Sequence, residues 1–298
     1  MVVVFAAGFY GLMTSTDWNL GGHLQGYENL AQAFWGTLLV AGVGLVDDFR
    51  HLSVKIRTTL YLLASIWCVY AIGFPVLDLP ALQLDLGWVG LLGGTIYLTA
   101  LLNLYNFMDG IDGLAAAEAV FVILGASLLA FINSTESMPV PVLLAAACGG
   151  FLVINWPRAR LFMGDTGSGF LGIWLGIFSL FYTDISLWSW LILLAWFLSD
   201  SGLTLFMRWV NGEKIHEAHN LHAYQYMTRR LGGERTLCII LTTNIFWLFP
   251  FAFLANSYRE WGIILLLLAS LPLTVYQYRQ GAGQRVLSRK QATRIKNG

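Results

Sequence analysis

An all-α bundle crossing a membrane about ten times is the fold class this sequence predicts, and three observations predict it. Of 298 residues, 57% are apolar and only 11% are charged, whereas a soluble domain carries about 25% charged residues. The apolar residues are gathered into runs of spanning or near-spanning length. The cations are also sorted: of the 17 Lys and Arg residues, only Arg259 falls on the opposite side if successive runs alternate direction.

Each run is delimited by polar residues. The first covers residues 2–13, and a stretch with Asp17 and Glu28 separates it from the second, 31–46. Asp47, Asp48, Arg50, Lys55 and Arg57 then lead into the third, 58–74, and Asp78 and Asp85 precede the fourth, 89–105. Asp109 and Asp112 divide the fourth from the fifth, 114–132, and Glu136 precedes the sixth, 141–156. Arg158, Arg160 and Asp165 precede the seventh, 168–183, and Asp184 the eighth, 187–207. A long polar stretch with Arg208, Lys214, three histidines, Arg229, Arg230 and Arg235 leads to the ninth, 236–255. Arg259 and Glu260 precede the tenth, 261–278. Several runs fall short of the ideal ~20 residues, so their ends are expected to shift by a few positions. Residues 1–280 read as one polytopic domain and 281–298 as a basic cytoplasmic tail.

Cytoplasmic loops carry the excess of Lys and Arg, so the basic side is assigned to the cytoplasm. Cys68, Cys148 and Cys238 all lie in apolar runs and read as small packing residues. That excludes a disulfide framework and a thiolate zinc site.

Four polar clusters fall on the basic side: VDDFRHLSVKIR (46–57), NLYNFMDGIDGLA (103–115), RLFMGDTGSGFLG (160–172) and NGEKIHEAHNLHAYQ (211–225). Charged groups at the edge of a bilayer are expensive, so their coincidence points to one functional site. Asp47 and Asp48 follow an apolar run, where a helix C-terminus disfavours anions, and they imply a nearby cation such as Arg50, Lys55, Arg57 or a metal. Gly110 and Gly113 predict a helix break between Asp109 and Asp112. Asp165 reads either as a helix N-cap or as part of a phosphate site at a glycine-rich helix start. His216, His219 and His222, beside Lys214, Arg229 and Arg230, read as an anion-binding wall. Asp200, inside the eighth run, reads as a structural partner of Arg208 or of a neighbouring helix. Hard oxygen donors beside cations suit Mg²⁺, or Mn²⁺ in its place, and phosphoryl transfer on a lipid-borne substrate.

In this order the clusters resemble those of the polyprenyl-phosphate N-acetylhexosamine-1-phosphate transferases, glycosyltransferase family 4, over about residues 1–230. DDFRHLSVKIR resembles the family's Asp-Asp motif, NLYNFMDGIDGL its Asn/Asp motif and FMGDTGSGFLG its third. GEKIHEAHNLHAYQ is most similar to the branch that starts O-antigen chains. The resemblance implies Asp165 and Asn106 as metal ligands, with Asp165 also counted catalytic. It implies Asp47 and Asp48 as catalytic groups at the lipid phosphate, Asp109 and Asp112 at the nucleotide, and His219 and His222 at the diphosphate. Asn103, Lys55 and Arg57 join the substrate-binding set.

The implied reaction joins undecaprenyl phosphate to a UDP-amino sugar, giving the lipid diphosphate-sugar and UMP with Mg²⁺, at a bacterial inner membrane. It would initiate an O-antigen-like cell-envelope polysaccharide. Membrane lipid is an expected partner, nucleic acid is not, and a homodimer is allowed. A phosphate nucleophile is already anionic at neutral pH, so Asp47 and Asp48 are favoured as positioning groups over a general base, and a covalent aspartyl intermediate stays open. The rival classes are a secondary transporter and an inactive scaffold of a polysaccharide assembly complex. Family members usually carry one further spanning helix and a Pro/Gly-rich loop before the segment VVVFAAGFYGL, so Met1 is expected not to begin a complete member. The His cluster also lacks the adjacent histidines of the usual pattern.

Overall fold

The computed structural model describes residues 1–14, 24–73, 76–79, 82–133, 138–214 and 219–284. Each predicted apolar run contains a helix. The first seven are α1 (Val2–Thr14), α2 (Leu24–Arg50), α3 (Val54–Ile72), α4 (Gly87–Phe107), α5 (Leu114–Ile132), α6 (Pro139–Asn155) and α7 (Gly164–Phe181). The eighth run is two helices, α8 (Leu187–Leu193) and α9 (Ala195–Val210), bent by 73°. A short amphipathic helix, α10 (Ala223–Leu231), occupies the basic stretch. The ninth run is α11 (Gly233–Thr243), a π-helical turn (Asn244–Leu248) and α12 (Phe249–Ser257), and the tenth is α13 (Gly262–Gln280).

Two features depart from expectation. Strands β1 (Val76–Leu79) and β2 (Leu82–Asp85) form an antiparallel hairpin between α3 and α4, an exception to the all-α class. Among the described residues, five helices are long and apolar enough to span a membrane, or six if the bent pair counts as one span. The expected ten spans are therefore not reached on length and composition. Helices α1 and α6 have only 13 and 17 residues, while α3 and α7 begin with polar turns containing Lys55, Arg57 and Asp165. Residues 285–298, most of the expected basic tail, lie outside the described residues.

Helix α7 is the hub. Its residues from Gly167 to Ser179 are buried without interruption, and it packs against both α2 and α4. A helix apolar all round belongs inside such a bundle. Trp174 anchors an aromatic cluster with Phe5, Phe9, Phe34 and Phe170, with ring centroids 5.2–6.4 Å apart. A side chain on Gly172 would meet the Leu102 backbone at 2.8 Å, so this glycine sets the closeness of α7 and α4. Large apolar side chains such as Trp35, Leu92, Phe131 and Phe246 face outward, as lipid contact allows. Of the three free cysteines, Cys68 and Cys148 are buried, but Cys238 faces out from α11 rather than packing inside.

Candidate active site

The two ends of the bundle differ in chemistry. At one end Arg259 donates to the carbonyls of Thr183 and Asp184, which close the C-terminal end of α7. At the other end the polar clusters meet.

Their meeting point is the first turn of α7. Asp48, in the last turn of α2, accepts hydrogen bonds from the Asp165 amide at 2.9 Å, the Thr166 amide at 3.3 Å and the Thr166 hydroxyl at 2.9 Å. A helix N-terminus leaves its amides without internal partners and carries partial positive charge, so a carboxylate is the group it favours. Asp48 thus caps α7 from another helix. This corrects one expectation: Asp165 is not the N-cap. Two of the amides at this helix start, those of Asp165 and Thr166, are taken by Asp48. The geometry needs two glycines. Gly164 has φ +63°, and a side chain there would lie 2.7 Å from Asp48. A side chain on Gly44 would lie 2.6 Å from the Asp165 carbonyl and from the Thr166 amide.

Relieved of capping, the Asp165 side chain faces Arg57 on α3. One guanidinium nitrogen, Nη1, lies 2.6 Å from Asp47 Oδ2 and 3.2 Å from Asp165 Oδ2. The Leu52 amide holds the other Asp47 oxygen at 2.5 Å. Arg57 is thus the cation that the adjacent carboxylates implied, and the basic stretch folds back to deliver it. Lys55, two residues before Arg57 and so on the opposite side of α3, is exposed and makes no ion pair among the described residues.

The series Asn103, Asn106, Asp109 and Asp112 splits into four environments. Asn103 donates to the Thr99 carbonyl of its own helix at 2.7 Å. Asn106 presents Oδ1 to the Ser168 hydroxyl at 2.6 Å, beside the first turn of α7. The break falls at Met108–Gly113, between α4 and α5. Asp109 within it makes no side-chain hydrogen bond among the described residues, and burial, then the charges of Asp165 and Asp48, push it up to about 7. Asp112 turns away and accepts the Ala159 amide at 3.0 Å, tying this loop to the segment before α7.

Several contributors were not legible as such. Asn155 accepts the Gly113 amide at 2.9 Å and donates to the Leu161 carbonyl at 2.7 Å, clamping the same two segments. Tyr224 donates to the Phe107 carbonyl at 3.1 Å, and a side chain on Gly110 would lie 2.0 Å from its hydroxyl. Ser168 was visible only as a helix-start residue. In each case the partner is remote in sequence, so no local pattern marks it.

The histidine segment approaches from the other flank. Asp200, fully buried in α9, accepts the amides of Ala223 at 2.8 Å and Tyr224 at 3.0 Å. It therefore bonds to a neighbouring helix, α10. Arg208 pairs with Glu213 at 3.0 Å. His222 is buried, with Nδ1 3.5 Å from Asp200, and its ring lies 4.8 Å from that of His219. Burial, then His222, lowers His219 to about 4, so it is uncharged at neutral pH. Both rings lie beside that of Phe107, with centroids 6.2 and 6.4 Å away. His216 lies outside the described residues.

Among the described residues, no group of three or more His, Cys, Asp or Glu side chains forms a ready-made metal cage. The donor chemistry nevertheless fits a hard cation that keeps water and takes further oxygens from a substrate. The charges of Asp48 and Asp165 act on Asp109, Arg57 pairs with Asp165, and the Asn106 amide oxygen flanks the same helical turn.

The chain is 28% identical over 198 residues to a probable undecaprenyl-phosphate N-acetylglucosaminyl 1-phosphate transferase of Bacillus subtilis, covering 63% of this chain and 55% of that protein. It is 36% identical over 162 residues to a phospho-N-acetylmuramoyl-pentapeptide-transferase of Moorella thermoacetica, covering 49% and 50%. It is 29% identical over 185 residues to a putative UDP-N-acetylglucosamine–dolichyl-phosphate N-acetylglucosaminephosphotransferase of Sulfolobus acidocaldarius, covering 59% and 55%. The chain thus spans about half the length of the curated relatives it matches. The profile of glycosyl transferase family 4 matches residues 30–183, which hold Asp47, Asp48, Arg57, Asn106, Asp109 and Asp165. That match covers more than half of the 298 residues, and the chain belongs to glycosyl transferase family 4.

Proposed function

We propose that this chain transfers a sugar-1-phosphate, from a UDP-amino sugar, to undecaprenyl phosphate at the cytoplasmic face of a bacterial inner membrane. An oxygen of the lipid phosphate attacks the sugar-bound phosphorus of the nucleotide sugar. The bond to the UMP phosphate breaks and UMP leaves with that electron pair. The observation that carries this reading is Arg57 bridging Asp47 and Asp165 at the Asp48-capped start of α7, beside Asn106 and Asp109.

Each residue has a role that follows from its surroundings. Asp47 is held on Arg57 and the Leu52 amide, and Asp48 on the amides of α7. Both act as positioning groups, since the nucleophile needs no deprotonation. Arg57 offers charge to a phosphate once the substrate competes for it. Asp109, half-buried in the Met108–Gly113 loop, is assigned to the nucleotide, and His219 and His222 to the diphosphate. Asp165 and Asn106 would hold Mg²⁺, which when bound neutralises charge building on the transferring phosphoryl group. A homodimer and an O-antigen-like initiating role are part of the same proposal.

Purified protein in detergent, given undecaprenyl phosphate and a panel of UDP-amino sugars, should release UMP only when lipid, nucleotide sugar and Mg²⁺ are all present. UMP release from none of the panel would overturn the reaction. Orientation is tested in cells by single cysteines in a cysteine-free background. Glu260→Cys should react with an impermeant maleimide from outside, and Arg230→Cys only after permeabilisation; the reverse pattern places the site on the other face.

A further inference from the structure

Glu118 is an ionisable residue that the proposed reaction does not use. It lies in α5, fully buried, and the Asn244 amide Nδ2 lies 2.5 Å from its Oε2. Asn244 is equally buried and begins the π-helical turn after α11. Two atoms of this pair have no hydrogen-bond partner: Glu118 Oε1 and Asn244 Oδ1.

Both orphans are oxygens, so they can satisfy each other only if one of them carries a proton, and only the carboxyl can. An ionised Glu118 would leave an anionic oxygen buried without a donor, a state that membrane interiors and protein cores disfavour strongly. Among the described residues no counter-charge is at hand. Of the helices packed on α5, α8 and α12 carry no titratable side chain, α6 carries Cys148, and α11 carries Glu234, Arg235 and Cys238, all exposed. From α7, Asp165 is engaged by Arg57, and from α4 the Tyr105 hydroxyl donates to the Ala115 carbonyl. We propose that Glu118 is held as the neutral acid and closes a two-hydrogen-bond ring with the Asn244 carboxamide, clasping α5 to the π-helical turn.

The backbone explains why the partner sits there. The Phe249 amide reaches back to the Asn244 carbonyl, and Pro250 has no amide with which to continue the ordinary ladder. The widened turn is the local answer, and such turns recur where a side chain must be re-aimed. Two turns earlier, Leu237 of α11 packs where a side chain on Gly113 would stand. The clasp therefore fixes α5 and α11 behind the Met108–Gly113 loop, and Glu118 is a positioning residue.

The test is infrared spectroscopy of the detergent-solubilised protein at neutral pH, as a difference between wild type and Glu118→Gln. A carboxylic-acid carbonyl band should appear in the difference and shift in Asn244→Ala. A carboxylate band in its place would overturn the proposal. Thermal unfolding gives a second readout: Glu118→Gln, which can still form two hydrogen bonds with Asn244, should unfold near wild type, whereas Glu118→Ala should unfold earlier. If Gln is as damaging as Ala, the ring does not exist. If the Ala variant fails to fold, the infrared difference still decides. Neither readout depends on activity.

Discussion

Replacing Asp165 by Asn should lower UMP release by on the order of a thousandfold while leaving the fold intact. The fold is spared because the cap on α7 is Asp48, which bonds to the Asp165 amide and not to its side chain. Arg57 keeps its shorter contact, 2.6 Å to Asp47, when the 3.2 Å contact weakens. What disappears is one negative charge at the place where a divalent cation and a phosphoryl group are proposed to meet. A thousandfold is about 4 kcal/mol of barrier, well within what metal-mediated charge neutralisation supplies. Turnover should be followed across a Mg²⁺ titration, on protein that elutes as wild type by size exclusion. Asn106→Ala should also lose activity and need more Mg²⁺ for what remains. Near-wild-type turnover by Asp165→Asn at ordinary Mg²⁺ would remove the metal site from this account.

The second large effect should come from a single methyl group. In Gly44→Ala the new carbon would sit 2.6 Å from the carbonyl carbon and oxygen of Asp165 and from the Thr166 nitrogen. These are backbone atoms, so no rotamer change relieves the overlap, and α2 must move away from α7. Overpacking of this kind typically costs about 1–3 kcal/mol. Here it also pulls Asp48 off the amides it caps, adding roughly 1 kcal/mol for a lost cap. Activity should fall by about a hundredfold or more, since misplacement by an ångström is that costly to positioned reactants. Gly42 is the internal control: it lies half a turn away with open space around it. Gly42→Ala should be neutral or stabilise α2 by up to ~1 kcal/mol. Equal tolerance of both substitutions would mean that the α2–α7 contact is not tight.

The contrast between these glycines shows what could be read in advance. Both stand in the same run, AGVGLVDD, and nothing local distinguishes them. The helices were legible because hydropathy is a property of each segment alone. So was the gathering of Asp47, Asp109 and Asp165 at one end, because charge is costly elsewhere in a bundle. Capping of α7 by Asp48 was hidden, since the residues are 117 apart in sequence. The bend near Leu194 was hidden as well: LILLAWF contains neither Gly nor Pro, and the run reads as one span. NLYNFMDGIDGLA shows both sides of this. Its spacing correctly marked a polar break, but repetition concealed that Asn103 serves its own helix, Asp112 pins Ala159, and only Asn106 and Asp109 border the first turn of α7.

The capping of α7 by a carboxylate from α2 also bears on how the protein is made. A ribosome adding about 5–20 residues per second needs on the order of ten seconds to travel from Asp48 to Thr166. Throughout that interval Asp48 stands at the end of α2 with no helix start to receive it, while the partners of Asp47, the Leu52 amide and Arg57, are already made. The Asp48 cap, and the Arg57 contact with Asp165, can form only once α7 is present to dock against α2 and α4.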